Sequence, residues 1–230
     1  MIDNNSDPWV FEQLSKELAK KIDDLQRKVQ WTDLMHMLLE ELHKEGISRQ
    51  QIEDALAKIP FSPAMIESLK AIKRSKGEII ILSDANTEYI DIILKAYGVR
   101  DLISLIISNP ASWDENGRLH VKRLIPLEDP HGCENECAVN LCKGRELVNY
   151  LSLHPKKFDQ IFYVGDSYND FCPATKINDV LLIRKGFYLE KFLTSSTFKR
   201  ELNPKIVYWQ DGNDFLKNIQ LEFKLEFKFE

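Results

Sequence analysis

Two carboxylates, a carboxamide, a hydroxyl and a lysine stand where they could together handle a phosphate group and a hard cation. In Tyr163-Val-Gly-Asp-Ser-Tyr-Asn-Asp170, a short apolar run ends at Gly165, and Asp166 and Asp170 then flank Asn169. Oxygen ligands of this kind suit Mg²⁺, which is held by one or two carboxylates and keeps several waters for substrate phosphate. An ordinary Asp/Asn turn has the same composition. In Ile79-Ile-Ile-Leu-Ser83-Asp84-Ala85-Asn86, a second apolar run ends in a hydroxyl close to the start of a helical pattern. A hydroxyl beside helix N–H groups can cradle phosphate, although helix capping asks for the same residue types. Lys143 opens a helical pattern between these two motifs. A point cation there can neutralise phosphate charge; a solvated surface lysine is the plainer alternative.

These residues need strands that end in turns. Glu78–Leu82, Leu105–Ser108, Gln160–Val164 and Val180–Ile183 are short apolar runs bounded by turn residues, the pattern of buried parallel strands. Helical patterns separate them: Ile90, Ile93, Leu94 and Tyr97 up to Gly98, and residues 143–153. Trp113–Val121 predicts a hairpin turning at Asn116-Gly117. Strands alternating with helices predict a doubly wound α/β core with a parallel sheet. In such sheets ligands bind at the carboxyl ends of the strands.

Residues 9 to about 76 read as helices instead. Asp7-Pro8 is the signature of a cap followed by proline at the first helical position. Leu14, Leu18, Ile22 and Leu25 then share a face, and Trp31–His43 repeats the pattern up to Gly46. Ser48 with Gln51 makes a capping box, and Ser62-Pro63 starts a further helix. The expected organisation is a remnant at 1–8, a helical domain at 9–62, an α/β core at 63–220 and a tail at 221–230. The tail alternates apolar and charged residues, which is strand periodicity, and a frayed end reads the same way.

Composition narrows the partners. The chain has 230 residues, 43% of them hydrophobic and 29% charged, with a net charge of −5. That suits a globular domain with a real core. No basic face or arm stands out, so nucleic acid is not an expected partner. The apolar runs are far too short to span a bilayer. Met1–Asp7 is polar and acidic, unlike a secretory leader. Four cysteines in this length do not form a disulfide framework. A cytoplasmic location is the default expectation, and oligomeric state stays open.

Hydroxyl, lysine and paired aspartates, in that order, resemble the haloacid-dehalogenase (HAD) phosphatase superfamily. Ile-Leu-Ser-Asp-Ala-Asn (81–86), Ile-Ser-Asn-Pro (107–110), Asn-Leu-Cys-Lys (140–143) and Phe-Tyr-Val-Gly-Asp-x-x-Asn-Asp-Phe-Cys-Pro (162–173) are similar to its phosphoethanolamine/phosphocholine and pyridoxal-phosphate phosphatase family. Plant thiamine-monophosphate phosphatase-like proteins look related. The resemblance covers most of residues 2–210. It implies a HAD-like Rossmannoid parallel sheet, with residues 9–62 as a cap domain over the site. The implied partner is a small phosphorylated metabolite. Ser83 would hydrogen-bond the phosphoryl oxygens and Lys143 would neutralise the phosphorylated intermediate. Asp166 would ligate Mg²⁺, supported by Asp170, with Asn169 beside them. Asp7 and Asp84 match acidic positions that meet a cationic head group, for which a carboxylate is the natural partner, and Asn86 is a further expected substrate-binding residue. Helix capping remains the other reading for Asp7.

One departure stands out. Family members begin with an apolar strand ending in Asp-x-Asp-x-Thr. Its first Asp is the nucleophile that forms a phosphoaspartate, and its second is the general acid and base. Here the likeness starts at Ile2-Asp3-Asn4-Asn5-Ser6-Asp7, just after that motif. The first, central strand of the family sheet is thus missing, and with it burial worth roughly 1.5–3 kcal/mol per large apolar side chain. The expectation is that Met1 is an internal methionine, that a strand bearing the motif belongs upstream, and that these residues alone are inactive. A non-catalytic protein that binds Mg²⁺ or a phosphorylated ligand is the alternative. A zinc-stabilised interaction module is another. His131-x-Cys133-x₃-Cys137-x₄-Cys142 offers four soft ligands for Zn²⁺, but the spacing also suits a loop of reduced thiols. Cys172 reads as a separate, packed apolar side chain.

Overall fold

The computed structural model describes residues 2–135, 137–155 and 158–223. The chain forms two compact units, residues 1–126 and 127–230.

In the first unit, α1 (Ser6–Leu14), α2 (Lys16–Leu25), α3 (Trp31–Lys44), α4 (Arg49–Ala57) and α5 (Pro63–Arg74) precede the strands. Their boundaries follow local chemistry. Ser15 ends α1 and caps α2, so Leu14 and Leu18 do not lie on one continuous helix. Gln30 caps α3 through two backbone N–H groups, and the expected capping box of Ser48 and Gln51 opens α4. Proline is at the first turn of α5, as its fixed φ allows. The cap of α1 differs from expectation. Asn5 is the capping residue, accepting from the Asp7 N–H, and Asp7 itself lies inside the first turn with its side chain turned inward. The apolar faces of α1, α3 and α4 bury Val10, Phe11, Leu34, Leu38, Leu42 and Leu56 almost completely.

β1 (Ile80–Asn86) then pairs in parallel with β2 (Leu105–Asn109), with α6 (Thr87–Ala96) as the crossover. The predicted first strand runs on past Leu82, through a register irregularity, to Asn86. Ser83 therefore sits in an irregular strand end, four residues before the helix. β3 (Ala111–Trp113) and β4 (Leu119–Val121) form the predicted hairpin, with Gly117 at φ +78° in its turn.

In the second unit, α7 (Lys143–Leu153) leads to a three-stranded parallel sheet in the order β5 (Phe162–Gly165), β6 (Val180–Arg184), β7 (Lys205–Trp209). β6, flanked on both sides, is buried throughout. The short helix α8 (Phe171–Ala174) links β5 to β6, and α9 (Tyr188–Leu193) packs against β6. α10 (Gly212–Glu222), capped by Asp211, closes the described chain. It contains Leu221 and Glu222, which were expected in a strand-like tail; the remainder of that tail, 224–230, lies outside the described residues. The parallel α/β class is as expected. Among the described residues, β1 has a strand partner only in β2, and β5 only in β6. No helix among them is long and apolar enough to cross a membrane.

Candidate active site

The carboxyl end of β5 carries a dense polar network. Gly165 ends the strand, and a Cβ there would meet the Asp170 Cβ at 2.6 Å and its Cγ at 2.8 Å. Only glycine lets the following loop fold back this closely. The 3₁₀ turn Tyr168–Asp170 then points Asp170 into the protein, where it is 4% exposed. Both its oxygens are occupied. Oδ1 accepts from Lys143 Nζ at 2.8 Å and from the Tyr163 hydroxyl at 2.8 Å. Oδ2 accepts from the backbone N–H groups of Asp166 and Ser167 at 3.0 and 2.9 Å. Burial alone would raise the pKa of Asp170, but the Lys143 ammonium and these donors overcome it and hold the carboxyl below its ordinary value.

Lys143, at the start of α7, is 7% exposed and also donates to Asn169 Oδ1 at 3.0 Å. It is a buried cation fixed between Asn169 and Asp170, not a solvated surface lysine. Asp166 differs from Asp170. It is partly exposed just past the end of β5, and its Oδ1 accepts from the Ser167 hydroxyl at 2.9 Å. Of the three oxygen donors expected for a metal, Asp166 is thus the one not bonded to Lys143. The Asp170 carboxylate and the Asn169 carbonyl are turned to Lys143.

The first unit collects the other predicted residues. Asp7 is 3% exposed, and Trp31 Nε1–H donates to its Oδ2 at 2.8 Å. Burial raises its pKa to about 6, against the Trp31 bond, and the negative charge of Asp84 adds to the rise. Asp7, Trp31, Asp84, Asn86 and Asn109 pack around one another with no room for a water between them. Trp31 and Asp84 also face an open cleft of about 600 Å³, where Glu12, Asp23 and Asp84 outnumber the one cation, Lys20. Asn86 is buried and its side chain caps α6 by accepting from the Tyr89 N–H at 2.9 Å. Ser83 Oγ accepts from the Ala85 N–H at 3.2 Å. Asn86 is thus the cap of α6, while Ser83 bonds within the end of β1 and does not cap the helix.

Three participants went unassigned in the sequence. Trp31 was read only as the start of a helix. Tyr163 was read as part of a strand, yet its hydroxyl reaches Asp170. Asn109 lies within a family-like motif but had been given no role. Its Nδ2 donates to the Asp84 and Ala85 carbonyls at 2.8 and 2.9 Å, which pins the end of β1.

The cysteine loop differs from expectation in one member. The sulfurs of Cys133, Cys137, Cys142 and Cys172 all lie within 4.8 Å of one another. His131 is turned to the backbone instead, with Nδ1 accepting from the Cys133 N–H at 3.0 Å and Nε2 3.1 Å from the Ala138 carbonyl. Cys172, expected to be a separate packed side chain, takes the fourth place because α8 begins beside α7.

Comparison with known proteins agrees with the fold and the family resemblance. A family model described as Putative Phosphatase matches residues 1–223. The human protein named pyridoxal phosphate phosphatase PHOSPHO2 is 33% identical over 235 residues, covering 97% of this chain and 95% of its own. Inorganic pyrophosphatase 2 of Arabidopsis thaliana is 32% identical over 96% of this chain and 79% of its own length. A thiamine phosphate phosphatase-like protein of the same plant is 34% identical over 85% and 81%. Among solved structures, a substrate-bound phosphoserine phosphatase superposes with a TM-score of 0.61 at 15% identity, covering 94% of this chain and 92% of that one. That likeness identifies the fold as HAD-like.

Proposed function

Because the chain belongs to the putative phosphatase family of HAD fold, a family of phosphoric monoester hydrolases, we propose that it is built to hydrolyse small phosphomonoesters of the phosphoethanolamine, phosphocholine or pyridoxal phosphate class with the help of Mg²⁺. The observation that carries this reading is the buried Lys143–Asp170 pair at the carboxyl end of β5, with Asp166 presented beside it.

The donor set fits a magnesium ion. Mg²⁺ needs few protein carboxylates because it keeps waters and takes phosphate oxygens. Asp166 would hold it directly. Asp170 would act on it at one remove, through the two N–H groups that fix the Asp166 backbone. When bound, Mg²⁺ supplies charge neutralisation of the phosphoryl oxygens. Lys143 adds a fixed positive charge in a dry site, where it acts more strongly than in water. Asp170 keeps that lysine in one rotamer. Ser83 donates its hydroxyl to a phosphoryl oxygen while continuing to accept from the Ala85 N–H.

Asp7 and Asp84 would meet a cationic head group, and Asn86 orders the turn between β1 and α6. A carboxylate with a raised pKa gains from a cation that restores its charge. The acidic cleft with Trp31 suits a positively charged head group, since an aromatic face also attracts cations.

Attack on phosphorus needs a nucleophile activated for it. No Asp-x-Asp occurs in these 230 residues. The roles proposed for the residues described here are thus to bind and orient the phosphoester. The experiment is phosphate release from pyridoxal phosphate, phosphoethanolamine and phosphocholine, with Mg²⁺ and with EDTA. It compares this chain with the same chain preceded by an apolar strand ending in Asp-x-Asp-x-Thr. Turnover by the extended chain alone, abolished by EDTA, is the expected result. Metal-independent turnover by these residues alone would overturn the proposal.

A further inference from the structure

The four cysteines of the second unit fall outside the phosphate-handling residues, and their geometry points to a structural zinc site: we infer that Cys133, Cys137, Cys142 and Cys172 bind one Zn²⁺ ion that clamps the segments bearing Lys143 and Asp170.

The distances favour a metal over a disulfide. Cys133 and Cys172 sulfurs are 3.6 Å apart, Cys137 and Cys133 3.6 Å, and Cys142 and Cys172 3.7 Å. A disulfide needs about 2.0 Å. Zinc–sulfur bonds of about 2.3 Å in a tetrahedron give sulfur–sulfur edges of roughly 3.8 Å. Three of the six sulfur–sulfur edges are close to that value, and all four sulfurs lie within 4.8 Å of one another.

The surroundings are arranged around the sulfurs. A Cβ on Gly144 would stand 2.4 Å from Cys172 Sγ, so the start of α7 is kept bare to admit that sulfur. Asn135 Nδ2 donates to Cys172 Sγ at 3.5 Å, and the Arg145 N–H to Cys142 Sγ at 3.3 Å. N–H groups aimed at sulfur are the outer-shell partners that thiolate ligands require. Neutral thiols are weak donors and would gain little from this convergence.

The chain path supplies an independent reason. From residue 122 to 142 the described residues form neither helix nor strand. A loop longer than about 12–15 residues without regular structure needs a function or a constraint to hold it. Three of the four ligands lie in this loop. Cys142 directly precedes Lys143, and Cys172 follows Asp170 by two residues. One ion would thus tie the loop to both ends of the buried ion pair. His131 is not a ligand, because both its ring nitrogens face backbone groups.

The inference concerns metal content and stands apart from the phosphatase reading. The chain is purified under reducing conditions without chelators. Zinc is measured by mass spectrometry of the elements, and thiol reactivity with a chromogenic disulfide before and after a strong chelator. One zinc per chain is expected, with the four thiols slow to react until the chelator is added. Cys172→Ser should weaken zinc binding by more than the roughly 10–100-fold typical of losing an outer-shell partner, while His131→Ala should leave it unchanged. If Cys172→Ser does not fold, the wild-type thiol protection and His131→Ala still decide. Four immediately reactive thiols without zinc, a disulfide found under non-reducing conditions, or loss of zinc in His131→Ala would each overturn the assignment.

Discussion

Asp7 in the first unit and Asp170 in the second are both aspartates with almost no exposed surface, yet their surroundings push them in opposite directions. Asp170 accepts four hydrogen bonds, one of them from an ammonium, and stays ionised below the ordinary carboxylate range. Asp7 accepts one side-chain bond, from Trp31, and has the negative charge of Asp84 as neighbour, so its pKa rises to about 6. Burial is the same in both. The difference lies in the donors, and it separates two tasks. Asp170 is already satisfied and holds Lys143 in place. Asp7 is under-compensated, which is what the proposed role toward a cationic head group would use.

The largest test of this contrast is to remove each charge. Asp170→Ala leaves Lys143 buried without its carboxylate, and breaking a buried pair from one side costs about 3–5 kcal/mol. Urea denaturation should register that loss. Asp7→Asn should act the other way. A pKa raised from 3.8 to about 6 corresponds to roughly 3 kcal/mol of destabilisation once the group is ionised. The asparagine variant should therefore be more stable than wild type at pH 7, while binding a cationic phosphoester less tightly. Equal losses in both variants would break the comparison.

The same shift predicts a pH dependence. Between its unfolded value and about 6, Asp7 holds its proton more firmly in the folded state than in the unfolded one. Stability is then lost as pH rises through that window. Thermal melts of wild type and Asp7→Asn, compared from pH 4 to 7, should diverge across that interval and run parallel above it.

Smaller changes sharpen the account. Trp31→Phe removes the N–H donor to Asp7, and a hydrogen bond to a charged group contributes roughly 1.5–3 kcal/mol. The Asp7 pKa should climb further in this variant. Gly165→Ala forces a Cβ against Asp170, and overpacking of this kind costs about 1–3 kcal/mol. Its denaturation midpoint should fall, and Lys143 should lose its fixed position. Asn86→Ala removes the cap of α6 at a cost of about 0.5–2 kcal/mol, and a chemical denaturation curve can resolve that.

What the sequence could convey depended on how local the determining contacts are. Lys143 at a helix start, Asp166 and Asp170 after a strand, and the Asn116-Gly117 hairpin are set by neighbours within a few residues, and all were legible. Contacts between distant positions were not. Trp31 reaches Asp7 across 24 residues, and Cys172 reaches Cys133 across 39. Neither leaves a periodic trace, so Trp31 was passed over and Cys172 was set apart from its cluster. β7 was missed for another reason. As the outermost strand of its sheet, it is exposed at Lys205 and Ile206 and lacks the continuous apolar run that marked β6. The cap of α1 was misassigned because Asn5 and Asp7 both have capping chemistry, and only burial distinguishes them.

The charge states of the two aspartates can be observed directly by following their side-chain carboxyl ¹³C shifts through a pH titration. Asp7 is expected to titrate near 6, and Asp170 to remain ionised below the ordinary carboxylate value of 3.8. If Asp7 titrates as an ordinary carboxyl, or if Asp170 takes up its proton first, the division of labour between the two sites is contradicted.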